Sequence, residues 1–191
     1  MSRAFVVVLL GAESTGKTTL AAELGLALVG RGRRIAIVGE VLREFCEREA
    51  RTPRREEQAA IAAAQTKRIE DAAPGAEIVV ADTSALMIAV YSDLVFADPG
   101  LYATAEAEQR RYDLTLLTAL DLPWQADGLQ RDGPQVQGPV DRQLRAALAR
   151  AGIAFETISG SGPARLEAAL ASVDRALAAR ARVRRRPPAA P

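Results

Sequence analysis

The chain has 191 residues, a formal net charge of +1, 49% hydrophobic residues and 26% charged residues, a composition typical of one globular domain. It has no histidine and one cysteine, which excludes Ser-His-Asp and Cys-His catalysis, intrachain disulfides and zinc sites built from those residues. The balanced charge disfavours nucleic acid as a partner, and no apolar run reaches the roughly 18 residues of a membrane span, so we expect a cytoplasmic protein without a membrane partner.

Apolar runs and helical periodicities alternate along the chain. Residues 4–10 form a continuous apolar, β-branched run, typical of a strand buried on both faces of a parallel sheet. Leucines four residues apart then predict a helix over 17–29. The same reasoning predicts strands at 34–38, 78–81, 114–118 and 155–158, and helices at 40–50, 54–72, 141–151 and about 163–180. We expect a three-layer α/β fold, with helices on both faces of a mostly parallel five-stranded sheet.

Two segments lack this periodicity. Residues 121–140 are rich in glycine and proline, and a loop of that length inside a domain is typical of a functional element, interpreted here as a mobile lid. Residues 182–191 are rich in arginine and proline, and we interpret them as a disordered tail after a single domain of residues 1–181. A basic patch that binds nucleic acid or a membrane is the alternative for this tail.

A phosphate-binding motif lies between the first predicted strand and the first predicted helix. Residues 11–18 match G-x-x-x-x-G-K-[ST], whose glycines let the backbone wrap around phosphates at a helix N-terminus. We expect Lys17 to reach the β- and γ-phosphates of ATP and the Thr18 hydroxyl to become a ligand of Mg²⁺. The predicted nucleotide-binding residues are Gly11, Glu13, Ser14, Thr15, Gly16, Lys17, Thr18 and Thr19. The motif predicts a P-loop NTPase fold that binds ATP and Mg²⁺.

The surrounding sequence favours a kinase over the other classes of P-loop protein. The guanine-reading motif of GTPases ends in aspartate, which residues 66–69 (Thr-Lys-Arg-Ile) lack, and no D-x-x-G follows the third strand. Motor-type ATPases carry a glutamate after the aspartate of this strand, where residues 82–84 read Asp-Thr-Ser. A small-molecule kinase instead needs an acceptor pocket and an arginine-bearing lid that excludes water, and residues 121–140 could supply that lid.

Two acidic residues follow strands at the edge of the sheet where ligands bind. Glu40 follows the second strand and Asp82 the third, and either carboxylate could accept the proton of an attacking hydroxyl. Asp82 could also join Thr18 at Mg²⁺, and Glu40 could bind acceptor hydroxyls. The alternative for each acid is a cap on the helix that follows. Arg43, one turn beyond Glu40, could pair with that carboxylate or face the substrate.

The lid region contributes further candidate residues. Arg131 and Arg142 could clamp the transferred phosphate, because a guanidinium matches the geometry of phosphate oxygens, or they could lie in solvent. Trp124 could stack on a flat heterocycle or pin the loop to the core. Cys46 is interpreted as a helix packing residue.

Several motifs occur in an order that resembles one family. They are residues 11–20, Glu40-Val-Leu-Arg43-Glu-Phe45, Asp82-Thr83, and Tyr112-Asp-Leu-Thr-Leu-Leu117 leading to Pro123-Trp124-Gln-Ala-Asp127-Gly128. Across about residues 5–170 the chain resembles the ribosylnicotinamide kinase domain of bacterial NadR-like NAD-salvage proteins. The resemblance implies ATP-dependent phosphorylation of the ribose 5′-hydroxyl of nicotinamide riboside, a nucleoside-like small-molecule acceptor.

The resemblance also implies roles for single residues. Lys17 and Thr18 would serve ATP and Mg²⁺, while Glu40, Arg43 and Asp82 would serve the acceptor and the metal. Trp124 and Asp127 would shape the lid.

The chain departs from this family pattern at the acceptor end. Gly39 and Val41 stand where the family has aromatic residues, and Ser84 replaces the second acid of a D-T-D element. Arg131 follows the Asp-Gly pair one place later than the family's lid arginine. A non-catalytic ATP-binding module with a nucleotide-driven lid is therefore the alternative to a kinase, and acceptor-dependent ATP consumption separates the two.

Overall fold

The structure, a computed structural model, describes residues 3–125 and 133–185. Its strands form one parallel sheet in the order β2-β3-β1-β4-β5, which confirms the predicted sheet. The strands are β1 (Phe5–Leu10), β2 (Ile35–Val38), β3 (Ile78–Asp82), β4 (Leu114–Thr118) and β5 (Glu156–Ile158). The described helices are α1 (Lys17–Gly30), α2 (Val41–Glu49), α3 (Gln58–Ala72), α4 (Ala85–Phe96), α5 (Tyr102–Gln109), α6 (Gln137–Arg150) and α7 (Gly162–Arg185).

The central strand β1 separates two hydrophobic layers, as its alternating side chains require. Phe5, Val7 and Leu9 pack with the buried leucines of α1 and the apolar face of α7. Val6, Val8 and Leu10 face the other side, where residues of α2 to α6 form the larger part of the core. Helices cover both faces of the sheet, which confirms the three-layer α/β fold.

The register of the strands brings the ends of β1, β3 and β4 to one edge. Leu9 pairs with Asp82 across β1 and β3, and Leu10 pairs with Leu117 across β1 and β4. The loop that follows β1 therefore lies between the ends of β3 and β4, at the edge where open parallel sheets bind ligands.

Helices α4 and α5 were not predicted from the sequence. Residues 85–90 of helix α4 are all apolar and buried in the core, so no polar face marks the helical period there. Helix α5 is short and has no clear apolar stripe. The structure also starts α6 four residues before the predicted position, since a proline is tolerated in the first turn. Helix α7 continues to Arg185, beyond the predicted end near residue 180.

No helix among the described residues combines the length and the apolar composition of a membrane span.

Candidate nucleotide-binding site

The P-loop lies between β1 and α1 and depends on two glycines. Gly11 has a φ of +152° and Gly16 a φ of +75°, and Gly16 directly precedes the first residue of α1. A Cβ at Gly11 would lie 1.9 Å from Thr118 Oγ1, so the loop can pass the end of β4 only without a side chain. The Thr118 hydroxyl is within hydrogen-bond distance of Thr15 Oγ1 (2.7 Å) and Leu10 O (3.1 Å), which ties the loop to the sheet.

A cavity of about 450 Å³, which we call the phosphate cavity, opens over this loop. It is lined by residues 14–19, by Arg43 from α2, and by Leu122, Pro123 and Gln125 from the segment after β4. Lys17 Nζ donates to the carbonyl of Ala12 at 2.9 Å, which places its ammonium group against the loop. The N-terminus of α1, Lys17 and Arg43 make this cavity favourable for an anion such as a chain of phosphates.

Asp82 ends β3 beside the P-loop. Its Oδ2 accepts a hydrogen bond from the Thr18 hydroxyl at 2.5 Å, and its Oδ1 is buried with no hydrogen-bond partner in the described part of the chain. The next residue, Thr83, is fully buried with a φ of +77°, a strained conformation for a β-branched residue and one that clusters at functional sites. Asp82 does not cap α4, because that position belongs to Ser84, whose hydroxyl accepts from Leu86 N.

Glu40 and Arg43 lie together at the start of α2. Arg43 Nε is 3.7 Å from Glu40 Oε2, so the pair predicted from their spacing forms, while Arg43 also lines the phosphate cavity. Glu40 occupies the N-cap position, but its side chain makes no capping hydrogen bond. The side chain of Gln65 on α3 brackets Glu40, since it accepts from Val41 N at 2.8 Å and donates to Gly39 O at 3.3 Å. This clamp fixes the backbone that carries Glu40.

A buried arginine connects the P-loop to the segment after β4. Arg165 on α7 is 4% exposed and donates to Thr15 O (2.7 Å), Gly160 O (2.7 Å) and Asp121 Oδ1 (3.0 Å). Asp121 also accepts from Gly160 N. Burial alone would raise the pKa of Asp121, but the hydrogen bonds from Gly160 and Arg165 hold this pKa below its usual value. Asp121 immediately precedes Leu122 and Pro123, so the bridge sets one wall of the phosphate cavity.

Neither of the two predicted lid residues that the structure describes, Trp124 and Arg142, lines this cavity. Trp124 is half-buried beside cavity-lining Pro123, yet it does not line the phosphate cavity in the described part of the chain. Arg142 is exposed on α6, and its guanidinium lies over Gly138 of the same helix. Asp127 and Arg131 lie outside the described residues.

A second cavity, of about 600 Å³, meets the P-loop at Glu13. The other lining residues come from α2, from the turn before α3 and from α4: Leu42, Thr52, Pro53, Arg54, Arg55, Glu56, Gln58, Tyr91, Val95 and Phe96. The turn is held by Glu57, which accepts from Arg51 (2.7 Å to each oxygen) and from Arg54 N (2.7 Å). Those contacts lower the pKa of Glu57 to about 2. The volume of the second cavity and its aromatic and polar lining are those of a small-molecule pocket.

Several of these residues were missed by the sequence analysis. Gln58 and Gln65 are seven residues apart on the apolar face of α3, together with Ile61 and Ile69. Polar residues on a buried stripe are the signal that could have identified them. Arg165 gave no comparable signal, because its partners come from distant parts of the chain. Cys46 on α2 packs in the hydrophobic core, as predicted.

Comparison with known proteins agrees with this fold. A family model described as an AAA domain matches residues 6–165, and no curated protein matches the chain at a significant level. A solved structure described as NadR protein in complex with NR has a TM-score of 0.75 and 22% identity over 90% of this chain and 51% of that one. A second, described as NadR protein in complex with NAD and AMP-PNP, has a TM-score of 0.72 and 22% identity over 92% and 50%.

The chain thus spans about half the length of these two structures and shares their fold. Since the family model covers most of its residues, the chain belongs to the AAA domain family of P-loop proteins.

Proposed function

We propose that this protein is an ATP-dependent kinase that phosphorylates a hydroxyl group of a nucleoside-like acceptor. The observation that carries the proposal is that neighbouring residues of the P-loop line two different cavities. Residues 14–19 line the phosphate cavity, and the adjacent Glu13 lines the larger cavity between α2, α3 and α4. A protein that only hydrolyses ATP needs no second pocket at this position, whereas a kinase must hold its acceptor beside the γ-phosphate.

The residues at the site supply distinct parts of this reaction. Lys17 and the P-loop backbone would bind the phosphates, and Arg43 would face the transferred group from α2. The acceptor oxygen bonds to the γ-phosphorus while the bond to the β,γ-bridging oxygen breaks, and ADP leaves. The hydroxyl proton passes to the carboxylate of Asp82 or Glu40.

The end of β3 fits a Mg²⁺ ion. The Thr18 hydroxyl and both carboxylate oxygens of Asp82 are the hard oxygen ligands that this ion prefers, and the buried Oδ1 has no partner in the described part of the chain. Thr18 and Asp82 would hold the ion, which when bound neutralises charge on the transferred phosphoryl group.

Nicotinamide riboside is the acceptor we propose. The motifs shared with the ribosylnicotinamide kinase family support it, and so does the fold shared with a NadR structure described as a complex with NR. Gly39 and Val41 lack the family's aromatic rings, but Tyr91 and Phe96 of α4 line the second cavity. A flat pyridinium ring could stack on these side chains, with a gain of about 1 kcal/mol.

The test is ATP consumption with Mg²⁺, with and without nicotinamide riboside. We expect the riboside to stimulate ADP release and to yield a product heavier by one phosphate. Lys17→Ala should abolish both, and Lys67→Ala is the matched control, since the chain's other lysine is exposed and pairs with Asp71 on α3. ATP binding without stimulation by any nucleoside would contradict the proposal and favour the non-catalytic module. The observation that supports this alternative is that Ser84, which replaces the second acid of the D-T-D element, serves as the N-cap of α4.

A further inference from the structure

Strand β2 forms one edge of the sheet, and its outer side is open. Among the described strands it pairs with β3 alone. The carbonyl of Arg34 accepts from Ile78 N on β3, and the backbone groups of successive residues in a strand point to opposite sides. The N–H and C=O groups of Ile35 and Ile37 therefore face away from the sheet. An open edge of this kind is a template for pairing with another strand.

The side chains of β2 lack the features that commonly block such an edge. Native edge strands often carry lysine, proline or an inward-pointing charge, whereas residues 35–38 read Ile-Ala-Ile-Val. Ile37 is 51% exposed, although it packs so closely on α1 that a Cβ at Gly25 would lie 2.4 Å from its Cδ1. On α1 itself, Leu26 is 70% exposed and Val29 is 54% exposed. The edge strand and the helix that covers it thus expose three large apolar side chains.

The hydrogen bonds of the flanking residues favour one register for a partner strand. Before β2, the N–H of Arg33 donates to a carbonyl of α1 at 3.2 Å, and after β2 the carbonyl of Gly39 accepts from Gln65 Nε2 at 3.3 Å. Ile35 and Ile37 are therefore the residues that offer both backbone groups to a partner. An antiparallel strand uses all of these groups when Ile35 of one chain lies opposite Ile37 of the other.

We propose that β2 pairs with β2 of a second copy of this chain about a twofold axis, which joins the two five-stranded sheets into one. A twofold axis perpendicular to the sheet makes the two strands antiparallel. Ala36 then lies opposite its own copy, in a non-hydrogen-bonded pair whose Cα atoms are about 4.5 Å apart. The small side chain of alanine suits this close approach. The inference is independent of the proposed kinase function.

The charges at the two ends of β2 complement each other in this arrangement. Arg33 and Arg34 precede the strand, while Glu40 and Glu44 follow it at the N-cap and in the first turn of α2. Antiparallel pairing sets the basic end of one strand beside the acidic end of the other. Parallel pairing would instead set like charges side by side, so the charge pattern favours the twofold arrangement.

Sedimentation velocity over a range of protein concentrations tests the dimer. We expect a monomer–dimer equilibrium whose Kd rises about tenfold or more in Ile37→Lys, because the twofold axis repeats each lost contact. Leu94→Lys is the matched control, since Leu94 is an apolar residue of α4 with 43% exposure. Circular dichroism checks that both variants fold. A monomer at every concentration, or a dimer that both variants weaken equally, would overturn the proposal.

Oxidative cross-linking tests the register. In a Cys46→Ala background, which removes the native cysteine, Ala36→Cys should form a disulfide between two chains. The expected Cα distance of about 4.5 Å lies within the range that a disulfide spans. Ile37→Cys should cross-link less, although residue 37 is the more exposed of the two, because Ile35 of the second copy lies opposite it. Stronger cross-linking at position 37 than at position 36 would indicate random collisions and contradict the proposed pairing.

Discussion

Replacement of Arg165 by methionine should destabilise the protein far more than replacement of a surface arginine. The guanidinium is 4% exposed and makes three hydrogen bonds, while methionine fills much of the same volume with no donor. Thr15 is 1% exposed, so its carbonyl cannot turn to water, and an unsatisfied buried acceptor costs about 1–3 kcal/mol. Asp121 is about one-third exposed and regains water, which limits its contribution to about 1 kcal/mol.

The sum is about 2–4 kcal/mol, which shifts the urea midpoint by on the order of 1 M. Arg31→Met is the control, because its ion pair with Asp174 is exposed on both sides and should contribute under about 1 kcal/mol. We also expect Arg165→Met to weaken ATP binding, since Thr15 belongs to the P-loop, and Arg165→Lys to restore part of the affinity. A midpoint for Arg165→Met equal to that of the control would refute this reasoning.

Three further predictions follow from single contacts. Gly11→Ala should abolish ATP binding, because the new Cβ meets Thr118 Oγ1 at 1.9 Å, while Gly30→Ala, with no atom within 4 Å, should leave the affinity measured by calorimetry unchanged. Gln65→Leu should lower kcat/KM for the acceptor about tenfold at unchanged ATP affinity, because the backbone on either side of Glu40 loses both of its hydrogen bonds to Gln65. Equal losses of kcat/KM for the acceptor and of ATP affinity would argue against this positioning role. The depressed pKa of Glu57 contributes stability that is complete above its unfolded value near 4.5 and is lost as the pH falls towards about 2, so Glu57→Gln should flatten the acid limb of a thermal-stability profile.

The sequence predicts the phosphate end of the site because that chemistry is local. Gly11, Gly16 and Lys17 are close in the chain, and each serves a requirement of the loop itself: an unusual φ, a helix N-terminus or a charge at the phosphates. The buried run of β1 predicts a parallel sheet for the same reason, since a strand covered on both faces has to be apolar throughout.

The acceptor end depends on contacts between distant segments, which periodicity does not reveal. Helix α4 supplies Tyr91, Val95 and Phe96 to the second cavity, yet the continuous apolar run with which it begins gives no helical period from which the helix could be predicted. Trp124, the only tryptophan in the sequence, was a candidate for stacking on a flat heterocycle, but the aromatic residues that line the second cavity come from α4. The side chains that line this cavity are therefore brought together by packing and not by their spacing in the sequence.

The structure gives a physical role to Ser84, one of the departures from the ribosylnicotinamide kinase pattern. Ser84 stands where the family has an acid, and its hydroxyl accepts from Leu86 N and donates to Gln109, so this position now serves to start α4. Asp82 is the carboxylate with which β3 ends beside the P-loop, and Glu40 follows β2 at the N-cap of α2. Asp82 and Glu40 are the two groups predicted to take the proton, and comparison of Asp82→Asn with Glu40→Gln at saturating ATP would show which substitution removes kcat while ATP still binds.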